Sequence, residues 1–213
     1  IAHTFETGYK RLFTKNFFLD LNYYISLYEN FIGIRRLVKP RTSPTLDLYS
    51  AATQVNNSAE NNRYLVYSNA EGLLAVHGAS FSLDYTSGGF IMGINGTWTN
   101  LFKDSEDPIV PGFNTPPFKI NFEWGHRQLT EDLGFKMSFR FRTQHEWQSP
   151  FVDGVIDSYG HFDFQFNKDL PSLGSNLKFG VTNLGVEKYY NIYGVPSIGS
   201  ILFATLTFDP NIF

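Results

Sequence analysis

The chain has 213 residues, a formal net charge of −3, 22 Phe, 12 Tyr, 3 Trp and no Cys. The charge offers no basic patch for nucleic acid, and the missing Cys excludes a disulfide framework or a thiolate metal site. Mean hydropathy is −0.20, and no run approaches the roughly 18 apolar residues of a spanning helix; a spanning β-strand needs only about 9–11 alternating residues, so strands stay open.

The aromatic-rich composition favours an all-β fold. No segment carries a sustained 3.6-residue period, and the alternation predicts about nine strands: 3–13, 17–30, 64–85, 89–101, 117–128, 133–147, 158–168, 176–184 and 200–208. The period of two is clearest in the middle. Phe118, Ile120, Phe122 and Trp124 alternate with Lys119, Asn121 and Glu123. Leu133, Phe135, Met137, Phe139 and Phe141 follow against Lys136, Ser138, Arg140, Arg142 and Gln144, then Phe162, Phe164 and Phe166 against His161, Asp163, Gln165 and Asn167. Each strand therefore has one apolar and one polar face. The opening residues already alternate and carry no signal-peptide pattern, so the expectation is a fragment or mature C-terminal part.

The connections alternate in length. Short ones fall at 14–16, 86–88, 128–132 and 169–175, rich in turn residues. Long ones fall at 31–63, 102–116, 148–157 and 185–199. Short turns at one end and long loops at the other is the pattern of an outer-membrane barrel rather than a Greek-key sandwich. The apolar face then meets lipid. The polar parity lines the interior: Lys119, Asn121, Glu123, Lys136, Arg140, Arg142, Gln144, Asp163, Gln165, Asn167 and Lys178. An arginine on the lipid side at the midplane would cost about 2–4 kcal/mol. Trp98 and Trp147 near the long-loop ends, with Trp124 near the short turns, are expected to form the interfacial girdle. Nine strands is odd where single-chain bacterial barrels have even numbers, so earlier strands are expected to be missing.

Several stretches resemble the C-terminal barrel segment of TonB-dependent outer-membrane receptors. They are Phe5-Glu6-Thr7-Gly8-Tyr9-Lys10, Pro111-Gly112-Phe113-Asn114-Thr115-Pro116-Pro117, Val181-Thr182-Asn183-Leu184-Gly185 with Lys188-Tyr189-Tyr190, and Gly194-Val195-Pro196-Ser197-Ile198-Gly199 before Phe203-Ala204-Thr205-Leu206-Thr207-Phe208. The resemblance implies an antiparallel 22-stranded barrel of which residues 1–213 are the C-terminal portion, with an N-terminal plug and the earlier strands outside the chain. It also implies outer-membrane lipid, the remaining barrel and plug, TonB (through the N-terminal part) and a surface lipoprotein as partners. The family's terminal aromatic assembly signal maps to Phe208 or Phe213, with Asp209-Pro210 interrupting the alternation between them.

Sharper chemistry finds little support in the sequence. His145, Glu146, His161 and Asp163 could suggest a metal site, but His145 and His161 have opposite parity. The acidic stretches 104–107 and 153–157 lack EF-hand spacing. Asn56-Asn57-Ser58 and Asn95-Gly96-Thr97 match a glycosylation pattern by chance. No nucleophile–base set or carboxylate pair is evident, so neither an enzyme nor a cofactor is expected. The expected function is import of a large nutrient (a siderophore, glycan or peptide) across a Gram-negative outer membrane, with loop 31–63 the main binding candidate. A structural barrel subunit of an assembly or secretion complex is the alternative, and a soluble β-sandwich binding module a further one.

Overall fold

The computed structural model describes residues 1–40, 47–48, 61–104, 106–150, 152–185 and 188–208. Its strands are β1 (Ala2–Thr14), β2 (Phe17–Tyr28), β3 (Ile32–Pro40), β4 (Asp47–Leu48), β5 (Asn61–Asn69), β6 (Leu74–Ser87), β7 (Phe90–Phe102), β8 (Phe118–His126), β9 (Leu133–Arg142), β10 (His145–Trp147), β11 (Gly154–Ile156), β12 (Tyr159–Leu170), β13 (Ser175–Leu184) and β14 (Ile201–Phe208). Nine of them form one antiparallel sheet in the order β1-β2-β6-β7-β8-β9-β12-β13-β14. The sheet does not close on itself: β1 and β14 are its edges.

The ladder needs tight turns at one end. Between β6 and β7 the two-residue turn is Gly88-Gly89, with φ of 55° and 88°. Positive φ at both positions fits a hairpin turn that follows the strand twist, and only glycine adopts it without strain. Between β12 and β13 a single 3-10 turn, Pro171–Leu173, ends on Gly174 in the left-handed region. The other end carries the long connections, and here the sequence expectation needs three corrections.

Residues 64–85 are two strands rather than one. β5 leaves the main sheet and pairs with β3, which also holds β4 in a three-stranded sheet. The break lies at Ala70-Glu71-Gly72, a turn signal, and the Tyr64-Leu65-Val66-Tyr67 run before it lacks the period of two. Strand 133–147 also breaks. Thr143 closes the β8–β9 ladder, its N–H donating to the Phe118 carbonyl and its hydroxyl accepting from the Phe118 N–H. His145 then starts a separate two-stranded sheet of β10 with β11. Finally, 31–63 is not simply a loop, since β3 runs through its first third.

No second layer packs on the nine-stranded sheet among the described residues. A buried apolar cluster, Ala70, Leu74 and Ile109 with Tyr28, Phe31 and Leu101 against it, lies under the long connections. A soluble sandwich would bury one whole face against another sheet. Here Phe5, Trp98, Phe122, Phe162, Phe179 and Leu202 stay exposed on one face. A continuous apolar face of this kind in water would be an aggregation hazard; facing hydrocarbon, it is the expected surface.

Candidate functional site

Antiparallel partners share a face, so the register sorts the polar residues. Lys119 pairs with Arg142 and Asn121 with Arg140, which pairs onward with His161. Glu123 pairs with Ser138 and then Asp163; Lys136 pairs with Gln165; Asn167 pairs with Lys178. Ten of the eleven polar residues singled out from the sequence therefore lie on one face of the sheet. The exception is Gln144, which falls between β9 and β10 and belongs to no strand.

Charges on this face neutralise each other across strands. Lys136 faces Gly125, which has no side chain, and reaches diagonally to Glu123 at 3.0 Å. Arg140 meets Asp163 at 3.4 Å. Lys10 meets Asp20 at 3.1 Å on the far strands. Asn121 donates its side-chain amide to Oδ1 of Asn95 at 2.8 Å. These half-exposed pairs add little stability individually; together they make this face of the sheet a wall of alternating charge.

Asp163 organises the upper part of that wall, and it sits at a bulge. The β12–β13 register shifts between Phe162 and Phe164, leaving Asn183 at φ 56°. Asp163 accepts from the Asn183 N–H at 3.0 Å and from the Ser138 hydroxyl at 3.3 Å, so its carboxylate supports the extra residue. His161 is buried beside it, Nε2 to Oδ2 at 4.0 Å. His145 and Glu146 sit on β10, in a different sheet. Among the described residues no three His, Asp or Glu side chains come together as a metal cluster.

Above this wall the long connections are tied into one assembly. Ile34 of β3 and Val110 exchange backbone hydrogen bonds at 3.2 and 2.8 Å. Asn114, in the same connection as Val110, ties it to a third at Gln148: the Asn114 amide donates to the Gln148 carbonyl at 2.8 Å, and the Gln148 N–H to the Asn114 side-chain oxygen at 2.7 Å. Arg36 forks onto Asp153, with Nη2 to Oδ1 at 2.7 Å, and also donates to the Ser149 carbonyl at 2.9 Å. The Arg36 guanidinium holds the Asp153 carboxyl below its ordinary pKa, against the smaller effect of burial. Asp107 is 5% exposed. Burial alone would raise its pKa, but N–H donors of Ile109, Gly72 and Glu71 and the Lys103 charge together lower it.

Between these connections lies a cavity of about 600 Å³, lined chiefly by Tyr159, Tyr189, Tyr190, Tyr193, Ile156 and Val195, with Lys188 and Asp157 at its edge. Tyr189 stacks on Tyr159 at 4.3 Å and 17°, and on His161 at 5.2 Å with parallel rings. Flat, rigid aromatic faces with hydroxyl tips can stack a ring and hydrogen-bond its edge. The sequence marks these tyrosines individually but not their convergence, which requires residues 159–161 and 188–193 to meet across two connections.

Of the girdle candidates, Trp98 and Trp124 are on the apolar face, Trp98 opposite Phe118 and Trp124 opposite Met137. Trp147 is not on the main sheet: it pairs with Gly154 in the β10–β11 ladder. Phe208 ends β14 opposite Ser175. Phe213 with Asp209-Pro210, Asn56-Asn57-Ser58 and most of the 41–60 stretch lie outside the described residues.

The model of the family described as "TonB dependent receptor-like, beta-barrel" matches residues 1–184. Among solved structures, the FrpB iron transporter of Neisseria meningitidis superposes with a TM-score of 0.66 at 15% identity, covering 96% of this chain and 30% of FrpB. The siderophore receptor PirA of Acinetobacter baumannii gives 0.66 at 14%, covering 96% and 31%. The pyoverdine receptor FpvA of Pseudomonas aeruginosa PAO1, bound to pyoverdine, gives 0.64 at 14%, covering 96% and 29%. No curated protein sequence matches. The chain thus spans about a third of the length of the structures it resembles. It belongs to the TonB-dependent receptor-like β-barrel family, whose members sit in the outer membrane of Gram-negative bacteria.

Proposed function

We propose that this chain forms the C-terminal wall and outer loops of a receptor that imports a large nutrient across the outer membrane. The observation that carries the reading is a nine-stranded sheet with one apolar and one polar face, whose long connections are joined together at one end. On this reading, Lys119, Asn121, Glu123, Lys136, Arg140, Arg142, Asp163, Gln165, Asn167 and Lys178 face the lumen, where their charges contact plug or substrate. TonB acts through the plug, which lies in the remaining part of the receptor. The tyrosine cavity, rather than loop 31–63 alone, is the capture site: it presents stacking faces already held in place, so little ordering is needed when a ring enters. FrpB, PirA and FpvA are named for iron, siderophore and pyoverdine respectively, and a ring-bearing chelate suits such a cavity.

The test uses the intact receptor. Tyr189→Ala removes the ring shared by both stacks and should weaken ligand uptake by about tenfold, the loss of one aromatic contact of order 1.4 kcal/mol. Ligand-dependent crosslinking of the receptor to TonB should accompany uptake. A receptor that never crosslinks to TonB under any nutrient limitation is instead a structural barrel subunit.

A further inference from the structure

The apolar face of the sheet is not uniform. A groove of about 420 Å³ runs across β1, β2, β6 and β7 to the first residue of β8, with Tyr9, Leu21, Tyr23, Phe81, Trp98 and Phe118 supplying its large side chains. Its origin is visible in the register. Ala79 is paired with Tyr23 on one side and Trp98 on the other, so a short side chain lies between two large ones. One pair further along, Phe81 is flanked by Leu21 and Gly96. The Phe81 ring leans over Gly96, so closely that a Cβ there would clash with it. That lean leaves the space above Ala79 open.

The two walls are held rather than loose. His77 lies one pair nearer the long connections and touches both. Its ring packs edge-on against Trp98, centroids 4.9 Å apart. Its Nδ1 is 3.4 Å from the Tyr23 hydroxyl, and its Nε2 is 3.4 Å from the Asn100 amide nitrogen. An amide nitrogen only donates, so Nε2 is the acceptor and the ring proton sits on Nδ1. Nδ1–H then donates to the Tyr23 oxygen, which leaves the Tyr23 hydroxyl proton for another acceptor. Among the described residues lining the groove there is no Lys or Arg, so nothing there balances the charge of a phosphate, whereas a neutral carbonyl suits the free hydroxyl.

We infer that this groove binds one acyl chain of an outer-leaflet lipid, with its ester or amide carbonyl accepting from the Tyr23 hydroxyl. The inference rests on reading the apolar face as lipid-facing. The groove crosses the middle of β6 at Ala79, Ser80 and Phe81, and the Tyr23 hydroxyl beside His77 lies on its long-connection side, which places the carbonyl toward the outer leaflet. Within hydrocarbon there is no hydrophobic drive to prefer this chain over its neighbours. Selection comes from close packing in a preformed slot plus one hydrogen bond.

The experiment is native mass spectrometry of the intact receptor, extracted from membranes and washed in detergent. One acylated lipid should remain bound per barrel. Ala79→Phe fills the slot and should abolish retention, whereas Leu202→Ala, on the same face at β14, should not alter it. Tyr23→Phe keeps the shape and should lower retention by about fivefold, the factor of one ordinary hydrogen bond; it also decides the matter if Ala79→Phe fails to fold. Retention unchanged in both groove variants, or no retained lipid in a folded wild type, overturns the inference. Quenching of Trp98 by brominated acyl chains in vesicles is read separately. If Trp98 is unquenched, the lipid-facing reading itself fails; if it is quenched and no lipid is retained, only the groove does.

Discussion

Arg36 and Asp153 are 117 positions apart in the chain, yet the guanidinium of one grips the carboxylate of the other, with Nη2 to Oδ1 at 2.7 Å. The pair fastens β3, which belongs to the first long connection, onto the segment between β10 and β11. Replacing Asp153 with Asn should leave the main sheet intact and free 148–157, raising its proteolytic cleavage and its amide exchange. The thermodynamic effect is small, about 1 kcal/mol or less, because the Asp153 side chain is 41% exposed and such pairs are screened.

The same pair has a defined pH dependence. The Asp153 carboxyl is held below its ordinary value in the folded state, so its contribution is complete above the unfolded carboxylate pKa of about 3.9. It is lost as pH falls through the lower, folded value. Protection of 148–157 should therefore be flat from neutral pH down to about 4 and decline only below that. A decline already near pH 6 would show that a histidine, not this carboxylate, controls the loop.

Asp107 plays a similar part more deeply. Its Oδ2 accepts from the Glu71 and Gly72 N–H groups at 2.7 and 3.1 Å, and its Oδ1 from the Ile109 N–H at 3.0 Å. That one side chain fixes the turn at which β5 leaves and β6 begins. Asp107→Ala strands three backbone donors beside the Leu74–Ile109 cluster, at a cost of about 1–3 kcal/mol for each donor that water does not reach. Urea unfolding in vesicles should show that loss, and Asp107→Asn should show a smaller one because an amide keeps a single acceptor oxygen.

Where the sequence was legible, the reason was physical. Lipid on one face and water on the other impose a period of two that governs most of the main sheet, with Arg11, His77 and Asn100 as polar exceptions on the apolar face. The long connections obey no such rule. Arg36 and Asp153 have no local signature, and β5 read as part of β6 because apolar side chains at Tyr64, Leu65 and Val66 satisfied strand propensity without showing which partner the strand would take. Carrying the alternation through Thr143-Gln144 would put Trp147 on the sheet, but those two consecutive polar residues mark its end. The bulge at Asn183 escaped because it depends on Asp163, a residue of the neighbouring strand.

The two-faced sheet makes one prediction that no soluble fold shares. Phe139 pairs with Phe122 and Phe162 on the apolar face, with its ring 4.6 Å from that of Phe162. Ser82, on the polar face, pairs with Asp20 and Asn95, and its hydroxyl donates to Asp84 at 3.0 Å. An arginine at Phe139 must place its charge in hydrocarbon, at about 2–4 kcal/mol near the midplane. An arginine at Ser82 lands between two carboxylates, Asp20 and Asp84, in a hydrated wall. Refolding the intact receptor into vesicles and scoring the heat-modifiable folded band should give a large deficit for Phe139→Arg and little change for Ser82→Arg. Equal yields from the two variants would mean that the apolar face does not meet lipid. The reverse order would mean that the sheet is turned the other way, with its charged wall outward.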